Sequence, residues 1–332
     1  MKAPRIGVVM GGTSAEREVS LSTGRAVAKA LGSAGRNVVE IELGPGIDTV
    51  GALRAARIDV AFLALHGRLG EDGCIQGLLE ILEIPYTGSS VLASALAMDK
   101  LKSKELFRLH NVPTPPYYVF DAEGLADVEE VHGSFGFPVV VKPRREGSSF
   151  GIAKADSPAA LARAIADARR YDQSVLVERF IAGKEISVGI LDGRVLGAIE
   201  IAPKSGMYDH HAKYTPGMTE YFMPARLPAT RYRGVLNLAE RAAQALDSAG
   251  AVRVDLLVTE GQNEYVLEVN TLPGMTPTSL LPKIAAEAGY SFADLCEAIV
   301  DRAGLGVAQP AAPAEHPALG AESEPDTLAV AV

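Results

Sequence analysis

Four polar residues on two neighbouring predicted strands form the strongest chemical pattern in this chain. Arg253 and Asp255 lie two residues apart on one strand, and Glu268 and Asn270 lie two apart on the next. Because side chains alternate along a strand, each pair projects from one face. A hairpin register that sets Asp255 opposite Glu268 brings two carboxylates to about 4 Å, where they repel by roughly 4 kcal/mol at an effective dielectric of 20.

That repulsion must be offset, in part by Arg253 and in part by a cation. Asp, Glu and an Asn carbonyl together supply the oxygen ligands that suit Mg²⁺, and magnesium with few protein ligands usually also binds substrate phosphates. A solvated strand face is the alternative, but the apolar flanking residues favour burial. The pattern therefore favours a metal site at Asp255, Glu268 and Asn270.

A second pattern begins at Lys142, where a predicted strand runs into a glycine-rich loop with two hydroxyl residues, KPRREGSSFG. Glycine lets backbone N–H groups approach phosphate oxygens, and Lys142 adds positive charge. An ordinary hairpin loop is the alternative. The phosphate-binding signature GxxxxGK[ST] and the dinucleotide signature GxGxxG after the first strand are both absent.

Two further segments each allow two interpretations. Lys100 follows Met98 and Asp99 in a predicted helix, and could be a solvated lysine like its neighbours Lys102 and Lys104. Residues 175–185 (VLVERFIAGKE) are apolar and aromatic between acidic residues, which could clamp a purine and bind a ribose. An ordinary edge strand explains the same segment.

Glu16 closes the pattern Thr-Ser-Ala-Glu, which is typical of a capping box at a helix start. The alternative is a carboxylate at a strand end that faces a substrate ammonium group. His66 could be a core histidine, a zinc ligand or a substrate contact. Zinc is not favoured at His210 and His211, because adjacent residues point apart on an extended chain and no further ligand pattern accompanies them.

The elements that must position these residues begin with alternating strands and helices. Residues 5–10, 38–43 and 60–65 are predicted strands, with helices after residue 16 and over 49–56, which indicates a parallel α/β sheet with right-handed crossovers. Ligands of such sheets bind at the carboxyl ends of the strands. The glycines at 11 and 12 and the pair His66-Gly67 lie at such ends.

The rest of the chain predicts two α+β lobes. A long helix over about 90–110 precedes a proline-rich boundary at 113–116, followed by strands at 137–142, 152–155 and 175–180 with a helix over 158–170. Strands at 186–191 and 195–201, a polar loop at 204–220 and a helix over 231–249 follow. The strands 252–259 and 265–270 form the hairpin that carries the first pattern, and a helix over 292–302 closes the fold.

Composition limits the class of protein. The chain has 332 residues, 48% hydrophobic and 22% charged, which is close to the average of globular proteins. Two cysteines rule out a disulfide framework, and we find neither a membrane-spanning run nor a signal-peptide core, so we expect a cytoplasmic enzyme. The net charge is −9, and four acidic residues without a lysine or arginine in residues 307–332 leave −5 for the rest, which argues against a nucleic-acid partner.

Taken in order, these segments resemble the D-alanine–D-alanine ligase family of the ATP-grasp superfamily. The matching segments are residues 11–20 (GGTSAEREVS), 65–68 with 70–73, 86–89, 98–100, 141–143 with 146–149, 212–214 (AKY), 268–276 (EVNTLPGMT) and 279–280. They span nearly everything but the tail. The resemblance implies an α/β protein with an N-terminal parallel α/β (pre-ATP-grasp) domain at 1–98, a central ATP-grasp lobe at 99–185, a C-terminal lobe at 186–305 and a disordered tail at 306–332.

The resemblance also implies an activity and a set of site residues. The family joins two D-alanine molecules for peptidoglycan precursor synthesis through an acyl phosphate, using ATP and two Mg²⁺ or Mn²⁺ ions, and likeness to it suggests a homodimer. ATP would meet Lys100 and Lys142 at its phosphates and Glu178, Arg179, Phe180, Ile181 and Glu185 at its adenosine. The metal would bind Asp255, Glu268 and Asn270.

The remaining implied roles concern the amino-acid substrates. Glu16 and His66 would contact the first D-alanine, and Arg253 with the Gly274 N–H would stabilise the oxyanion. The N–H groups of Ser279 and Leu280 would bind the second carboxylate. Lys213 and Tyr214, on a loop at 204–220 that would act as a lid, would close the site near Ser148.

One residue departs from the family pattern. The lid commonly reads Tyr-Asp-Tyr-x-Ala-Lys-Tyr, and here it reads Tyr-Asp-His-His-Ala-Lys-Tyr, so that an imidazole replaces a phenol at His210. Because histidine titrates near pH 6.5, we expect lid closure to depend more strongly on pH. The intact Lys213 and Tyr214 favour an amine, rather than a hydroxy acid, as second substrate.

Three other functions fit parts of the pattern. They are an ATP-grasp ligase with different substrates, a metal-dependent hydrolase that uses His66, His210 and the carboxylates, and a non-catalytic nucleotide-binding module. Residue chemistry alone does not reveal the handedness of the substrate, so the D preference rests on the resemblance.

Overall fold

The computed structural model describes residues 3–121, 128–204, 215, 217–261, 263–276 and 278–306. Its N-terminal part is a parallel sheet in the order β2–β1–β3, as the sequence predicted. The strands are β1 (Arg5–Gly11), β2 (Asn37–Leu43) and β3 (Val60–Leu63), connected by the helices α1 (Arg17–Ser33) and α2 (Thr49–Ala56). Strand β1 is buried along nearly its whole length, because a central parallel strand is covered on both faces.

The prediction of one long helix over residues 90–110 is wrong. Two helices stand there, α4 (Val91–Met98) and α5 (Lys100–Leu109), after a shorter helix α3 (Cys74–Ile81) that was not predicted. Asp99 separates them in an extended conformation, and its carboxylate accepts hydrogen bonds from the N–H groups of Leu101 and Lys102, each at 3.1 Å. An aspartate that caps a helix start satisfies donors that a continuous helix would have bonded internally.

The central part is an antiparallel sheet in the order β4–β7–β5–β6. It comprises β4 (Tyr117–Phe120), β5 (Val139–Pro143), β6 (Ala153–Ala155) and β7 (Val175–Arg179), with the helices α6 (Val128–His132) and α7 (Pro158–Ala168). Leu161 and Ile165 of α7 pack on Val139 and Val141 of β5, because their spacing places them on one side of the helix. This core fixes the direction in which β5 delivers Lys142.

A five-stranded antiparallel sheet in the order β10–β9–β8–β11–β12 follows. Its strands are β8 (Lys184–Leu191), β9 (Arg194–Pro203), β10 (Thr219–Phe222), β11 (Ala251–Val258) and β12 (Glu264–Asn270), and α8 (Ala229–Ala245) packs on it. The predicted pairing of Asp255 with Glu268 is confirmed. Just beyond it the register shifts, so that Leu256 faces Val266 and Leu267 is the extra residue of a β-bulge.

The last two helices, α9 (Leu280–Glu287) and α10 (Phe292–Val300), return to the N-terminal sheet. Leu281, Leu295 and Ile299 share one buried core with Ile6 and Val8 of β1. The predicted domain boundary at 98/99 falls at the break between α4 and α5, and the one at 185/186 falls inside β8.

None of the helices in the described part of the chain is both long and apolar enough to cross a membrane.

Candidate active site

A cavity of about 410 Å³ lies between the central sheet and the five-stranded sheet. Its walls are largely apolar, and a few charged side chains converge at one end, which is typical of a small-molecule site. The central sheet contributes Val140, Ile152 and Ile181 to the apolar walls, and the larger sheet contributes Leu257 and Leu267. The charged residues that were predicted for the site and line this cavity are Lys142, Glu178, Arg179, Glu185, Asp255 and Glu268.

The carboxylates of Asp255 and Glu268 lie opposite each other on β11 and β12, and positive groups already stand beside both. Arg253 donates two hydrogen bonds to Asp255, at 2.9 and 2.7 Å, and Asn270 donates a third at 3.1 Å. Lys100 Nζ lies 3.4 Å from Glu268 Oε2. The structure therefore brings together all three residues predicted to bind a metal, together with Arg253 and Lys100.

This donor set fits a hard divalent cation. Two carboxylates and one amide oxygen share the face of a hairpin, and Asp255 and Glu268 both line the cavity. Ser187 was not predicted, yet its hydroxyl donates to Asp255 Oδ1 at 2.5 Å. A partner behind a ligating carboxylate orients it, which is the usual arrangement around metal ligands.

The two predicted phosphate-binding lysines are both buried at the charged end of the cavity. Lys100 begins α5, and its ammonium donates to the carbonyl of Glu146 in the glycine-rich loop at 2.6 Å. Lys142 ends β5 and lies 2.8 Å from Glu178 Oε2. Burial alone would lower the pKa of Lys142, but the charge of Glu178 outweighs it and holds the pKa above its ordinary value.

A third lysine was missed by the sequence analysis, which treated Lys104 as solvated. Lys104 is completely buried, and its ammonium lies 3.1 Å from Glu178 Oε1. Its position one turn beyond Lys100 on α5 was the available signal, since residues four apart share a helix face. The side chain of Glu178 thus lies between two lysines.

The residues that follow Glu178, in the segment 175–185 that was predicted to contact a purine, point in different directions. Arg179 lies at the edge of the cavity but is exposed, and its guanidinium donates to the carbonyl of Phe135 at 2.7 Å. Phe180 and Ile181 line the cavity, and the ammonium of Lys154 stands 3.9 Å from the centre of the Phe180 ring. Glu185, half-buried at the start of β8, lies at the same wall.

Beyond the charged end, Glu16 meets the glycine-rich loop. The hydroxyl of Ser148 donates to Glu16 Oε1, and a side chain at Gly147 would collide with the same carboxylate. The capping-box interpretation of Glu16 is wrong, since its side chain makes no cap hydrogen bond to α1. Ser148 and Ser149 adopt positive φ angles of 42° and 60°, a region that such residues rarely occupy.

His66 is buried beside Glu16, at the carboxyl end of the sheet where it was predicted. Its Nε2 lies 3.3 Å from the hydroxyl of Thr23, and its Nδ1 lies 3.8 Å from Glu71 Oε1. Burial opposes protonation, but Glu71, with a further contribution from Glu16, outweighs it and raises the pKa of His66. Both ring nitrogens of His66 thus face protein side chains, Thr23 on one side and Glu71 on the other.

The segment after β12 lies on the other side of His66. Thr23, which the sequence analysis missed, contacts His66 and also accepts a hydrogen bond from the N–H of Met275 at 3.4 Å. Ser279 precedes Leu280, the first residue of α9, and its side chain stands next to Gly274. The N–H of Ser279 donates to the carbonyl of Thr276 at 3.0 Å. The Thr23 hydroxyl therefore connects His66 with the segment that contains Gly274, Ser279 and Leu280.

The structure does not describe the predicted lid residues. Lys213, Tyr214 and His210, with most of the loop at 204–220, lie outside the described residues. The part of that loop that is described ends in β10 (Thr219–Phe222), an additional strand of the five-stranded sheet.

Comparison with known proteins places these features in one family. The family model described as the D-ala D-ala ligase C-terminus matches residues 106–301, and the one described as the D-ala D-ala ligase N-terminus matches residues 47–89. A D-alanine–D-alanine ligase from Geotalea uraniireducens (strain Rf4) is 53% identical over 312 residues, which cover 93% of this chain and 98% of that protein.

Two solved structures are similar over most of their length. One is a D-alanine–D-alanine ligase from Bacillus anthracis complexed with ATP, with a TM-score of 0.77, 36% identity, and coverage of 91% of this chain and 97% of that one. The other is the VanG D-Ala:D-Ser ligase from Enterococcus faecalis, with a TM-score of 0.78, 30% identity, and coverage of 90% and 99%. From its sequence, its ATP-grasp fold and its match to both family models, the chain belongs to the D-alanine–D-alanine ligase family.

Proposed function

We propose that this protein joins two D-alanine molecules into D-alanyl-D-alanine, at the expense of ATP, for peptidoglycan precursor synthesis. The observation that carries the proposal is one continuous site. The apolar cavity leads to Lys100, Lys142 and the Asp255–Glu268 pair, and then to Glu16 and His66. Membership of the family supports the same activity, since the relatives from Geotalea uraniireducens and Bacillus anthracis are D-alanine–D-alanine ligases.

The residues that line the cavity favour one orientation of ATP. The purine would lie against Phe180, Ile181 and Leu267, the ribose at Glu185, and the phosphates at the buried lysines. Two ammonium groups in a site shielded from water neutralise phosphate charge far better than exposed lysines do. The ATP complex of the relative from Bacillus anthracis supports a nucleotide in this fold.

Asp255, Glu268 and Asn270 would hold Mg²⁺ or Mn²⁺, two ions by analogy with the family. When bound, the metal supplies positive charge that neutralises the phosphate oxygens during phosphoryl transfer. Arg253 and Ser187 orient Asp255 from behind, and Lys100 holds Glu268. Phosphoryl transfer needs such neutralisation and alignment more than it needs a nucleophilic side chain.

The amino-acid substrates would lie beyond the phosphates. Glu16, oriented by Ser148, would bind the ammonium of the first D-alanine, with His66 nearby. The carboxylate of this D-alanine attacks the γ-phosphorus of ATP, and ADP leaves, which gives an acyl phosphate. The amine of the second D-alanine then attacks the acyl carbon, and inorganic phosphate leaves.

The second step requires donors for the oxyanion and for the second carboxylate. Arg253 and the Gly274 N–H would stabilise the developing oxyanion, and the N–H groups of Ser279 and Leu280 at the start of α9 would bind the carboxylate. Lys213 and Tyr214 would seal the site near Ser148, since an acyl phosphate must be kept from water. We place the reaction in the cytoplasm, where ATP is available.

Phosphate release from Mg·ATP tests this function directly. D-alanine, L-alanine, D-serine and D-lactate would be compared as the amino-acid component, with the product identified by mass. We expect release of phosphate with D-alanine and a dipeptide as product. Faster release in mixtures of D-alanine with D-serine would indicate the substrate pair named for VanG, and hydrolysis without a nucleotide would indicate a hydrolase.

We also propose a homodimer. The helices α3 and α4 lie side by side, with Val91 near Gly77, and Ile81 and Leu92 are 81% and 65% exposed. A second copy would cover these apolar side chains. Light scattering should give a dimer mass for the protein and for Leu109→Glu, an exposed position on α5, but a monomer mass for Leu92→Glu; a monomeric unmodified protein would contradict the proposal.

A further inference from the structure

The charged end of the cavity contains a buried row of three charges, which we name the Lys104–Glu178–Lys142 row. Lys104 has no exposed surface and Glu178 only 2%. The two oxygens of Glu178 are divided between the lysines, with Oε1 3.1 Å from Lys104 and Oε2 2.8 Å from Lys142. Lys104 also donates to the hydroxyl of Thr114 at 2.5 Å, so the Lys104 end of the row is held by a further protein group.

Only one end of this row faces the cavity. Lys142 and Glu178 line it, whereas Lys104 lies behind Glu178, does not line the cavity and has no exposed surface. Lys104 therefore does not contact a ligand that binds in the cavity. Its ammonium nevertheless stays among protein groups, although burying a charge is costly and an apolar side chain of the same length would pack there more readily.

The charge of the row explains what Lys104 adds. Without it, Lys142 and Glu178 form a neutral pair, and an arriving phosphate must compete with Glu178 for the Lys142 ammonium. With Lys104 present, the row carries a net charge of +1, and Glu178 is neutralised from the side away from the ligand. The positive charge of Lys142 is then available to the cavity.

We propose that Lys104 is a positioning residue for the nucleotide phosphates, acting by neutralising Glu178 so that Lys142 can bind the triphosphate. This inference rests on the proposed use of ATP. It predicts that removal of Lys104 weakens the binding of phosphate-bearing ligands but not of the nucleoside.

The pKa of Lys104 supports this arrangement. Burial lowers it to about 8, although Glu178 acts in the opposite direction, and the like charges of Lys142 and Lys100 add to the lowering. The ring of Tyr117 also lies near the ammonium, 5.6 Å from it. Lys104 should therefore lose its proton as the pH rises through about 8. Because Glu178 is then no longer neutralised, ATP should bind more weakly.

The test is a comparison of dissociation constants for Mg·ATP and for adenosine by calorimetry. We expect Lys104→Met to weaken Mg·ATP binding about tenfold, about 1.4 kcal/mol by the usual conversion, and to leave adenosine binding unchanged. Lys102→Met is the matched control, since Lys102 is exposed on the same helix and pairs with Glu105. Equal weakening of both ligands, or of neither, would overturn the proposal.

A double-mutant comparison separates charge from packing. In a Glu178→Gln background no carboxylate remains to be neutralised, so Lys104→Met should then change Mg·ATP binding less than twofold. A tenfold loss in both backgrounds would mean that Lys104 acts through packing, against the proposal.

A further experiment leaves Lys104 in place, so its result does not depend on whether Lys104→Met folds. The Mg·ATP dissociation constant of the unmodified protein should rise between pH 7.5 and 9.5, and Thr114→Val, which removes an acceptor from the ammonium, should move this rise to lower pH. A flat profile in both proteins would contradict the inference. If the unmodified protein did not bind Mg·ATP at all, the proposed function would fail instead.

Discussion

At the scale of single residues, the chemistry of this site depends on where charge is buried. Lys100, Lys142 and Lys104 all lie at one end of a cavity, together with three carboxylates, Glu178, Asp255 and Glu268. In such surroundings a charge is costly without an opposite charge nearby, and here the paired atoms are between 2.7 and 3.4 Å apart. The site therefore acts as a unit, in which removal of one group changes the ionisation of its neighbours.

Lys142 gives the simplest test at this scale. We expect Lys142→Ala to lower kcat/KM for ATP by at least 10²-fold, of the order of one lost charge contact in the transition state. Steady-state kinetics with saturating D-alanine would measure it, and Lys29→Ala, an exposed lysine of α1, is the control. A kcat/KM close to that of the unmodified protein would reject a role for Lys142 at the phosphates.

His66 provides a pH-dependent prediction. Its pKa is raised in the folded protein, so its contribution to stability is complete below the ordinary value near 6.5 and is lost as pH rises through the higher folded value. The free energy of unfolding in urea should therefore fall over this interval, and His66→Gln should reduce the fall. The control is His110→Gln, at an exposed position; an unaltered pH dependence in His66→Gln would contradict the assignment.

At the scale of elements, the break between α4 and α5 is what positions Lys100. Asp99 caps α5 and also pairs with Arg144, which donates to both carboxylate oxygens at 2.7 Å. Arg144 belongs to the glycine-rich loop, and its carbonyl accepts from the Lys100 N–H at 3.1 Å. One aspartate thus attaches the start of a helix to the loop that would cover the phosphates.

The prediction for this element is a double effect of Asp99→Ala. Loss of the cap should lower the free energy of unfolding by about 1 kcal/mol, and release of the loop should raise KM for ATP severalfold. Ser291→Ala removes the cap of α10, far along the chain from this loop, and should lower stability similarly without changing KM. Urea denaturation and steady-state kinetics measure the two effects, and an unchanged KM in Asp99→Ala would refute the positioning role.

At the scale of the whole molecule, the end of the described chain closes the structure. The helices α9 and α10 complete the core over β1, and Tyr86 and Gly304 exchange backbone hydrogen bonds at 3.0 and 3.1 Å. The N-terminal and C-terminal regions, which are far apart in the sequence, therefore share one core. Through Thr23, the same packing connects the segment before α9 with His66, so that one contact serves stability and the site.

The residues after this closure should contribute little. Residues 307–332 lie outside the described residues and are rich in alanine, proline and acidic residues, a composition from which the sequence analysis predicted a tail without a folded core. We expect deletion of them to leave the melting temperature and the rate of phosphate release nearly unchanged. Calorimetry and the phosphate assay measure both, and a large loss of either would show that this segment docks on the folded part.

Local sequence alone determined the parts of this protein that depend on short-range geometry. Alternation along strands placed Asp255 with Glu268, and the order of strand and helix signals gave the parallel N-terminal sheet, because the periodicity of apolar residues sets which face of an element is buried. The family resemblance added the ATP-grasp lobes and the site residues, which no spacing rule supplies.

Only the tertiary structure decided which polar groups are buried and what they meet. Lys102 and Lys104 look alike in the sequence, yet one is exposed and the other completely buried beside Glu178, 74 residues later in the chain. Likewise, Glu16 caps no helix, because packing brings it to Ser148 instead. Burial and Coulomb energy depend on distances through space, and these are settled only when the sheets and helices pack together.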